Sequence, residues 1–230
     1  MMKKVIIIIL IVVLGYFVYA LATKDTTSET MEETNTSTSE EVASSADTTD
    51  ADMYAVSEEE SSITWEGGKK IIVDYIDRGT IEVAEGSLAF KEGVLVGGEV
   101  VIDMDSIAVT SNGQNDDGKS GMLVKHLKSE DFFEVETYPT SKIVITNVVQ
   151  GSSEGEYTVT GNVTIKDVTN SVTFPATATV SDGVVNGSAT LTLDRSKWNV
   201  RYGSDSFFDN LGDNVIKDEF TLNILLVAKQ

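Results

Sequence analysis

Residues 157–165 (Y-T-V-T-G-N-V-T-I) and 172–180 (V-T-F-P-A-T-A-T-V) alternate apolar and polar side chains almost residue by residue. Successive side chains of a β-strand point to opposite faces of the sheet, so this alternation predicts two strands with one apolar face each. Pro175 in the second run indicates an edge, a bulge or a kink, because proline cannot donate to a strand ladder. The same criterion predicts seven further strands, at residues 63–65, 69–76, 80–90, 94–104, 141–149, 185–193 and 220–226.

One stretch has a helical pattern instead. Within residues 119–129, the side chains of Met122, Leu123, His126 and Leu127 recur at the spacing of a single helix face. About eight antiparallel strands with short glycine-containing turns and one short helical excursion predict an all-β domain, either a closed barrel or a sandwich. A fold of alternating strands and helices does not match this pattern.

Five small residues occupy the apolar series of these strands: Gly161, Ala176, Ala178, Gly187 and Ala189. An eight-stranded barrel is just wide enough to be filled by its side chains, and smaller side chains leave space for one small ligand. Small residues also mark bulges and close packing between strands. The pattern is therefore consistent with an internal cavity and equally with a filled core.

The composition of the 230-residue chain excludes several classes of function. Its net charge is −20, whereas a nucleic-acid-binding protein needs a basic face. The absence of cysteine excludes thiolate catalysis, iron–sulfur centres and disulfide frameworks. Because His126 is the single histidine, a multi-histidine metal site cannot form within one chain, and we expect no metal and no cofactor.

The first 22 residues are predicted to be a membrane element. Lys3 and Lys4 precede an uncharged apolar run at residues 5–22, long enough as a helix to cross most of a bilayer. Residues 20–22 (A-L-A) have the form of a signal-peptidase site, so the segment is a cleaved signal peptide or an uncleaved anchor. The length of the run and its aromatic end favour the anchor. Both alternatives place the rest of the chain outside the cytoplasm.

Residues 23–60 differ from what precedes and follows them. Of these 38 residues, 15 are Ser or Thr and 12 are Asp or Glu, and the segment has a net charge of −11. So few apolar side chains cannot offset the entropy lost on ordering, which predicts a disordered acidic linker. The remaining residues, 61–230, are predicted to form the folded domain.

Residues 151–155 (G-S-S-E-G) match the G-x-S-x-G motif of serine hydrolases. That motif requires a strand-to-helix turn and a later histidine, whereas these residues join two predicted strands and His126 lies upstream. We therefore predict a hairpin loop and no enzymatic activity. A hydrolase that uses Ser153 and His126 is the less favoured alternative. The adjacent Asp194 and Arg195 at a strand end indicate a structural ion pair or a hairpin anchor.

Residues 126–133 (H-L-K-S-E-D-F-F), followed by Tyr138 and Pro139, resemble the H-L-x-S-x-D-F-F…Y-P signature of the YceI-like family. Residues 161–166 (G-N-V-T-I-K) are similar to its G-x-L-T-I-K strand, and residues 193–198 (L-D-R-S-K-W) to its I-D-R-[ST]-x-[WF] element. Further matches open the domain between residues 65 and 104 and close it from residue 211 onward. Asp167 and Asn199 stand where the family commonly has glycine.

The YceI-like family comprises bacterial lipid- and polyisoprenoid-binding proteins with a lipocalin-like barrel. The resemblance implies an eight-stranded antiparallel barrel whose elongated apolar tunnel holds an isoprenoid quinone or polyprenyl lipid without acting on it chemically. It also implies an extracytoplasmic carrier or store. The predicted cavity wall comprises Ile81, Val83, Val100, Ile102, Met104, Phe132, Phe133, Ile145, Val159, Val163, Phe174, Leu191, Trp198, Tyr202, Phe220, Leu222 and Ile224.

His126 and Arg195 are the candidate contacts to a lipid head group, because one polar group in an apolar pocket sets the orientation of a ligand. His126 would alternatively pack in the helix and bond a backbone carbonyl, and Phe132 and Phe133 would alternatively be core residues. The competing function is a surface-displayed, non-catalytic interaction module whose barrel is filled with side chains.

Overall fold

The computed structural model describes residues 45–113 and 120–230. The predicted membrane segment, residues 1–22, and residues 23–44 of the predicted linker lie outside the described residues. Within the described chain, no helix is both long and apolar enough to cross a lipid bilayer. The elements are β1 (Asp52–Val56), β2 (Ser62–Gly68), β3 (Ile76–Lys91), β4 (Val94–Ser111), α1 (Ser120–Lys128), β5 (Thr140–Gln150), β6 (Glu156–Ile165), β7 (Val168–Ser181), β8 (Val184–Asp194) and β9 (Glu219–Lys229), with 3-10 helices at Arg195–Trp198 and Gly212–Asn214.

Strands β2 to β9 form a closed antiparallel barrel. Each strand pairs with its neighbours in the sequence, and β2 closes the ring by pairing with both β3 and β9. Strand β1 lies between the same two strands as β2, because Ala55 lies opposite Ser87 of β3 on one side and Lys229 of β9 on the other. The barrel therefore has eight strand positions, of which the first is divided into β1 and β2. The predicted all-β barrel with one helical excursion is confirmed.

Strand β1 belongs to the folded domain, which therefore begins before residue 61. It lies inside residues 23–60, which the sequence assigns to the linker. Tyr54 and Val56 are only 6% and 8% exposed, and the Tyr54 ring packs edge-on against Phe90 with centroids 5.5 Å apart. The pairings that close the barrel span residues 52–229, so the predicted boundary at residue 61 is corrected. The strand is only five residues long, and its outward positions Met53 and Ala55 are apolar like its inward ones, so no alternation is visible in the sequence.

A second correction concerns residues 69–76, which the alternation predicts as a strand. Strand β2 ends at Gly68 and β3 begins at Ile76, and the chain turns between them. Among the apolar residues of this turn, Ile71 and Val73 are 56% and 77% exposed, whereas Tyr75 borders the cavity inside the barrel. Ile71 and Val73 therefore face solvent instead of a core.

The connections differ in length at the two ends of the barrel. At one end, which we call the hairpin end, short turns at residues 92–93, 151–155 and 182–183 join β3 to β4, β5 to β6 and β7 to β8. Asp182 and Gly183 both have positive φ (51° and 76°), the backbone of a tight hairpin turn. The opposite end, the loop end, carries the longer connections, at residues 69–75, 112–139 (with α1) and 195–218, together with the short turn 166–167.

Pro175 lies where the ladder between β7 and β8 ends. It pairs with Thr158 of β6, whereas the β8 partners of β7 begin at Ala176, opposite Ala189. Strand β8 does not pair with Pro175. The missing N–H of the proline therefore costs no hydrogen bond in the β7–β8 ladder. This is the edge position that the sequence predicts as one of three alternatives.

Candidate functional site

The barrel encloses a cavity of about 480 Å³. Several residues whose side chains face inward, including Ile102, Leu222 and Ile224, are only half-buried because they border this space. The volume is in the range of pockets that hold small ligands. The alternative of a barrel filled with side chains does not match the structure.

The small residues of β7 and β8 create part of this space. Ala176, Ala178, Gly187 and Ala189 all line the cavity. A Cβ atom added to Gly187 would meet no atom closer than 3.5 Å, so a side chain fits there with ordinary contacts. Gly161 is different, because a Cβ there would lie 3.1 Å from the Val144 oxygen and from Ile143. Gly187 therefore contributes space to the cavity, whereas Gly161 marks close packing between strands.

Fifteen of the seventeen predicted wall residues line the cavity. The two corrections are Val83 and Trp198, which are buried in the core (5% and 1% exposed) without bordering the cavity. The indole Nε1–H of Trp198 donates to the Val163 backbone oxygen at 3.0 Å, which holds the ring in the packed core. Val83 is a small side chain covered by its neighbours. Facing inward is therefore not sufficient for a wall position. The fifteen residues that border the cavity are Ile81, Val100, Ile102, Met104, Phe132, Phe133, Ile145, Val159, Val163, Phe174, Leu191, Tyr202, Phe220, Leu222 and Ile224.

Besides Tyr75 and the alanines of β7 and β8, twelve further apolar residues of the wall were not predicted. Four of them stand two positions from a predicted wall residue on the same strand, so the alternation already places them on the inward face: Ile143, Ile165, Leu193 and Leu226. Ile216 lies in the 195–218 connection, where no strand pattern exists. The twelve are Ile63, Trp65, Leu88, Leu95, Ile107, Leu123, Leu127, Ile143, Ile165, Leu193, Ile216 and Leu226.

An aromatic cluster lies at the loop end of the cavity. The His126 ring packs edge-on against Phe132 and Tyr202, with centroid distances of 4.9 and 4.5 Å. Phe132 also contacts Phe133, with centroids 6.4 Å apart. His126 Nε2 lies 3.1 Å from the Asp131 carboxylate, so its polar partner is this side chain and not the backbone carbonyl that the packing alternative predicts. All four rings border the cavity.

Arg195 is a buried cation beside this cluster, with 4% of its surface exposed. Its Nη2 lies 3.2 Å from the carboxylate of Asp218. Its guanidinium donates to three backbone oxygens, those of Val200 (2.8 Å), Lys217 (3.0 Å) and Ile216 (3.3 Å). These bonds tie the end of β8 to the 195–218 connection, so Arg195 has a structural role whatever it contributes to ligand binding.

The electrostatics of Arg195 follow from its burial. Desolvation lowers the pKa of Arg195, and the carboxylates of Asp218 and Asp194 oppose this shift. Asp194, the predicted ion-pair partner, instead caps the following 3-10 helix by accepting from the Ser196 backbone N–H at 3.0 Å. The guanidinium carbon also lies 5.7 Å from the centre of the Phe132 ring. A cation is thereby held against the aromatic cluster.

Asp77 is a further polar group on the cavity wall. Its Oδ1 accepts from the Gly113 backbone N–H at 2.8 Å. Burial raises the pKa of Asp77, while the Gly113 hydrogen bond and the positive charge of Lys69 act in the opposite direction. The Lys69 ammonium also lies 5.3 Å from the centre of the Tyr75 ring, and Lys69 and Tyr75 both border the cavity. The polar lining groups of β2, β3 and their connection thus lie near the loop end.

The residues of the hydrolase alternative occupy separate environments. Ser153 is exposed in the turn between β5 and β6 at the hairpin end, whereas His126 borders the cavity from α1 at the loop end. Residues 151–155 are therefore the predicted hairpin loop. Across the described ranges, no group of three or more His, Cys, Asp or Glu residues is placed to hold a metal ion.

The cavity reaches solvent at the loop end. Five of its lining residues are exposed, and three of them, Tyr202, Asn214 and Lys217, belong to the 195–218 connection. The other two, Lys142 and Thr177, lie on the barrel wall. A ligand with an apolar body and a polar end therefore meets apolar walls in the barrel and polar groups at the loop end.

A closed antiparallel barrel around one apolar cavity is the architecture of β-barrels that enclose a single small ligand. The YceI-like domain matches residues 54–228, and the chain belongs to this family.

The chain also resembles bacterial proteins named UPF0312 proteins. It is 31% identical over 99 residues to a UPF0312 protein of Pseudomonas putida strain W619, which covers 43% of this chain and 47% of that one. A UPF0312 protein of Shewanella denitrificans is 30% identical over 99 residues, with the same coverage. The chain thus spans about half the length of the curated relatives it matches.

Two solved structures share the fold. BcnA of Burkholderia cenocepacia has 20% identity and a TM-score of 0.58, and the match covers 76% of this chain and 99% of BcnA. A polyisoprenoid binding domain from Saccharophagus degradans has 16% identity and a TM-score of 0.52, with coverage of 76% and 97%. Since these two chains consist almost wholly of the barrel, a barrel of this fold is a self-contained folding unit.

Proposed function

We propose that the protein binds an elongated apolar lipid of the isoprenoid type in its barrel and carries or stores it without chemical change. The observation that supports this most directly is the apolar cavity of about 480 Å³, walled by aliphatic and aromatic side chains. A prenyl chain has almost no hydrogen-bonding groups. Its affinity must come from removing apolar surface from water, about 25 cal/mol per Å² before the costs of association.

The polar groups at the loop end support one orientation of the ligand. The isoprenoid tail lies in the cavity inside the barrel, and the head group lies by His126, Arg195 and Tyr202. The description of the Saccharophagus degradans neighbour as a polyisoprenoid binding domain agrees with this class of ligand. Because the candidate polar contacts are few, they fix the orientation of the lipid more than its affinity.

The N-terminal sequence supports a location of the protein in the cell. Lys3 and Lys4 before the apolar residues 5–22 favour export of the rest of the chain, and residues 5–22 would attach it to the membrane if they are not cleaved. We therefore propose an extracytoplasmic carrier. Protease treatment of spheroplasts, in which only the cytoplasmic membrane remains as a barrier, with detection of residues 45–230, tests this location, because only a cytoplasmic domain would be protected.

Phe174→Asp is expected to abolish retention of an isoprenoid lipid. Phe174 borders the cavity and is 9% exposed, so the new carboxylate would stand unpaired against an apolar wall, at a cost of several kcal/mol. The measurement is a tryptophan-fluorescence titration of residues 45–230 with an isoprenoid quinone. Trp65 borders the cavity and Trp198 does not, so quenching by a bound quinone should come mainly from Trp65.

Thr173→Asp is the matched control, because Thr173 is exposed on the outer face beside Phe174. This control should bind as the unchanged protein does, and Trp65→Phe should remove most of the quenching. Unchanged quinone affinity in a folded Phe174→Asp protein, judged by circular dichroism, would contradict the proposed site.

A further inference from the structure

Besides the lining residue Tyr202, five large apolar side chains are exposed at the loop end of the barrel. We call this set the apolar rim: Ile71 (56% exposed), Val73 (77%), Met122 (70%), Phe207 (42%) and Phe208 (50%). Single exposed apolar residues are common on protein surfaces, but five at one end of a barrel form a candidate interaction surface.

The connections that carry the rim are joined to one another. The Lys70 ammonium lies 2.7 Å from the Asp205 carboxylate, and the Lys70 N–H donates to the Val215 oxygen at 2.9 Å, which ties residues 69–75 to residues 195–218. The contact of His126 with Tyr202, centroids 4.5 Å apart, ties α1 to the same connection. The rim therefore belongs to one continuous surface.

The rim flanks the opening of the cavity. Ile71 and Val73 lie between Lys69 and Tyr75, which both border the cavity, and Met122 precedes the lining residue Leu123. Phe207 and Phe208 lie between the lining residues Tyr202 and Asn214. A surface that covers the rim therefore also covers the mouth of the cavity.

Charge is distributed unevenly along the barrel. The loop-end connections (described residues 69–75, 112–139, 166–167 and 195–218) hold nine of the thirteen described Lys and Arg residues, but only ten of the twenty-nine Asp and Glu. Their net charge is therefore −1, whereas the rest of the described chain carries −15. An anionic surface repels the strands and the hairpin end and leaves the loop end as the face that can approach.

The geometry points to the apolar rim as the surface by which this protein docks on a lipid bilayer, with the tips of its loops inserted among the lipids. A fluid bilayer requires protruding apolar side chains and no complementary groove, which is what the rim offers. The near-neutral loop end makes insertion the driving force, and the acidic remainder orients the barrel. Docking in this pose brings the cavity mouth to the membrane, so a lipid can enter without crossing water. The purpose of docking rests on the proposed function, but the docking itself is tested separately.

The test is co-sedimentation of residues 45–230 with phosphatidylcholine vesicles, alone and with a minority of phosphatidylglycerol. This fragment omits residues 5–22, whose apolar sequence would bind vesicles by itself. The double variant Ile71→Asp, Phe208→Asp should lose about tenfold or more of its partitioning, because two large apolar side chains can no longer enter the bilayer. Binding of the unchanged fragment to both vesicle types should vary little with salt.

The matched control is Met53→Asp, Leu225→Asp. Met53 and Leu225 are as exposed as the rim residues (47% and 57%) but lie in β1 and β9 on the barrel wall. This control should partition as the unchanged fragment does. Equal losses in both double variants, or no vesicle binding by the unchanged fragment, would overturn the proposal. So would sedimentation velocity without vesicles showing that the rim joins two copies of the chain.

Ligand content separates docking from the proposed function. Native mass spectrometry of the rim variant should show the same bound lipid as the unchanged fragment, since the rim residues do not border the cavity. Vesicle binding without any bound lipid would support docking and contradict the lipid-carrier function. Bound lipid without vesicle binding would overturn docking and leave the carrier function intact.

Discussion

Replacing Gly187 with phenylalanine is expected to lower the affinity for an isoprenoid lipid by tenfold or more while the barrel stays folded. Gly187 borders the cavity, and a Cβ atom there meets no atom closer than 3.5 Å, so the new ring can extend into empty space. An aromatic ring buries about 150–250 Å², and it would occupy volume that the lipid tail requires. Because the ring fills a cavity, the melting temperature should stay the same or rise. The measurement is the quinone titration, followed by thermal unfolding.

Asn186→Phe is the control for this experiment. Asn186 precedes Gly187 on β8, and its side chain is exposed on the outer face. Affinity should be unchanged in this variant. Full affinity in Gly187→Phe would show that the ligand does not use the space beside β7 and β8, which contradicts the proposed position of the tail.

The second large effect is expected at Arg195. Arg195→Ala should reduce the free energy of unfolding by about 3–5 kcal/mol, because it leaves the largely buried Asp218 carboxylate without its cationic partner. It also removes the donors to the backbone oxygens of Val200, Ile216 and Lys217. Arg195→Lys should restore little of this loss, since an ammonium cannot reproduce the planar fork of a guanidinium. Urea unfolding measures both variants.

Arg201→Ala provides the comparison. Arg201 is exposed, donates to the Asn199 side chain at 2.9 Å, and lies 4.7 Å from the centre of the Phe207 ring. Exposed contacts of this kind contribute little, and the loss should be below about 1 kcal/mol. If Arg195→Ala were no more destabilising than Arg201→Ala, Arg195 would not anchor the 195–218 connection.

The fold could be predicted from the sequence because a period of two identifies both the strands and their inward faces. Residues 157–165 and 172–180 became β6 and β7 with a continuous ladder between them. The pattern failed where its physical basis was absent. Strand β1 is short and has apolar residues at its outward positions as well, and Ile71 and Val73 of the turn after β2 have no core to face.

The cavity wall was predictable only where the alternation along a strand shows which side chains face inward. The alternation separates inward from outward side chains, which placed Phe174 and Leu191 correctly at the cavity. It carries no information on depth, so Val83 and Trp198 could not be distinguished from wall residues. Tyr75, Asp77 and Ile216 come from connections or strand ends, and their positions depend on contacts between distant segments.

Native mass spectrometry of residues 45–230 purified from a bacterial host, followed by organic extraction, tests the central claim most directly. We use residue 45 as the start because β1 belongs to the barrel. The expected result is a protein–lipid adduct whose extracted component is a quinone or polyprenyl lipid. An apo mass that persists after isoprenoids are added would contradict the lipid-carrier function and favour a barrel that acts through protein partners.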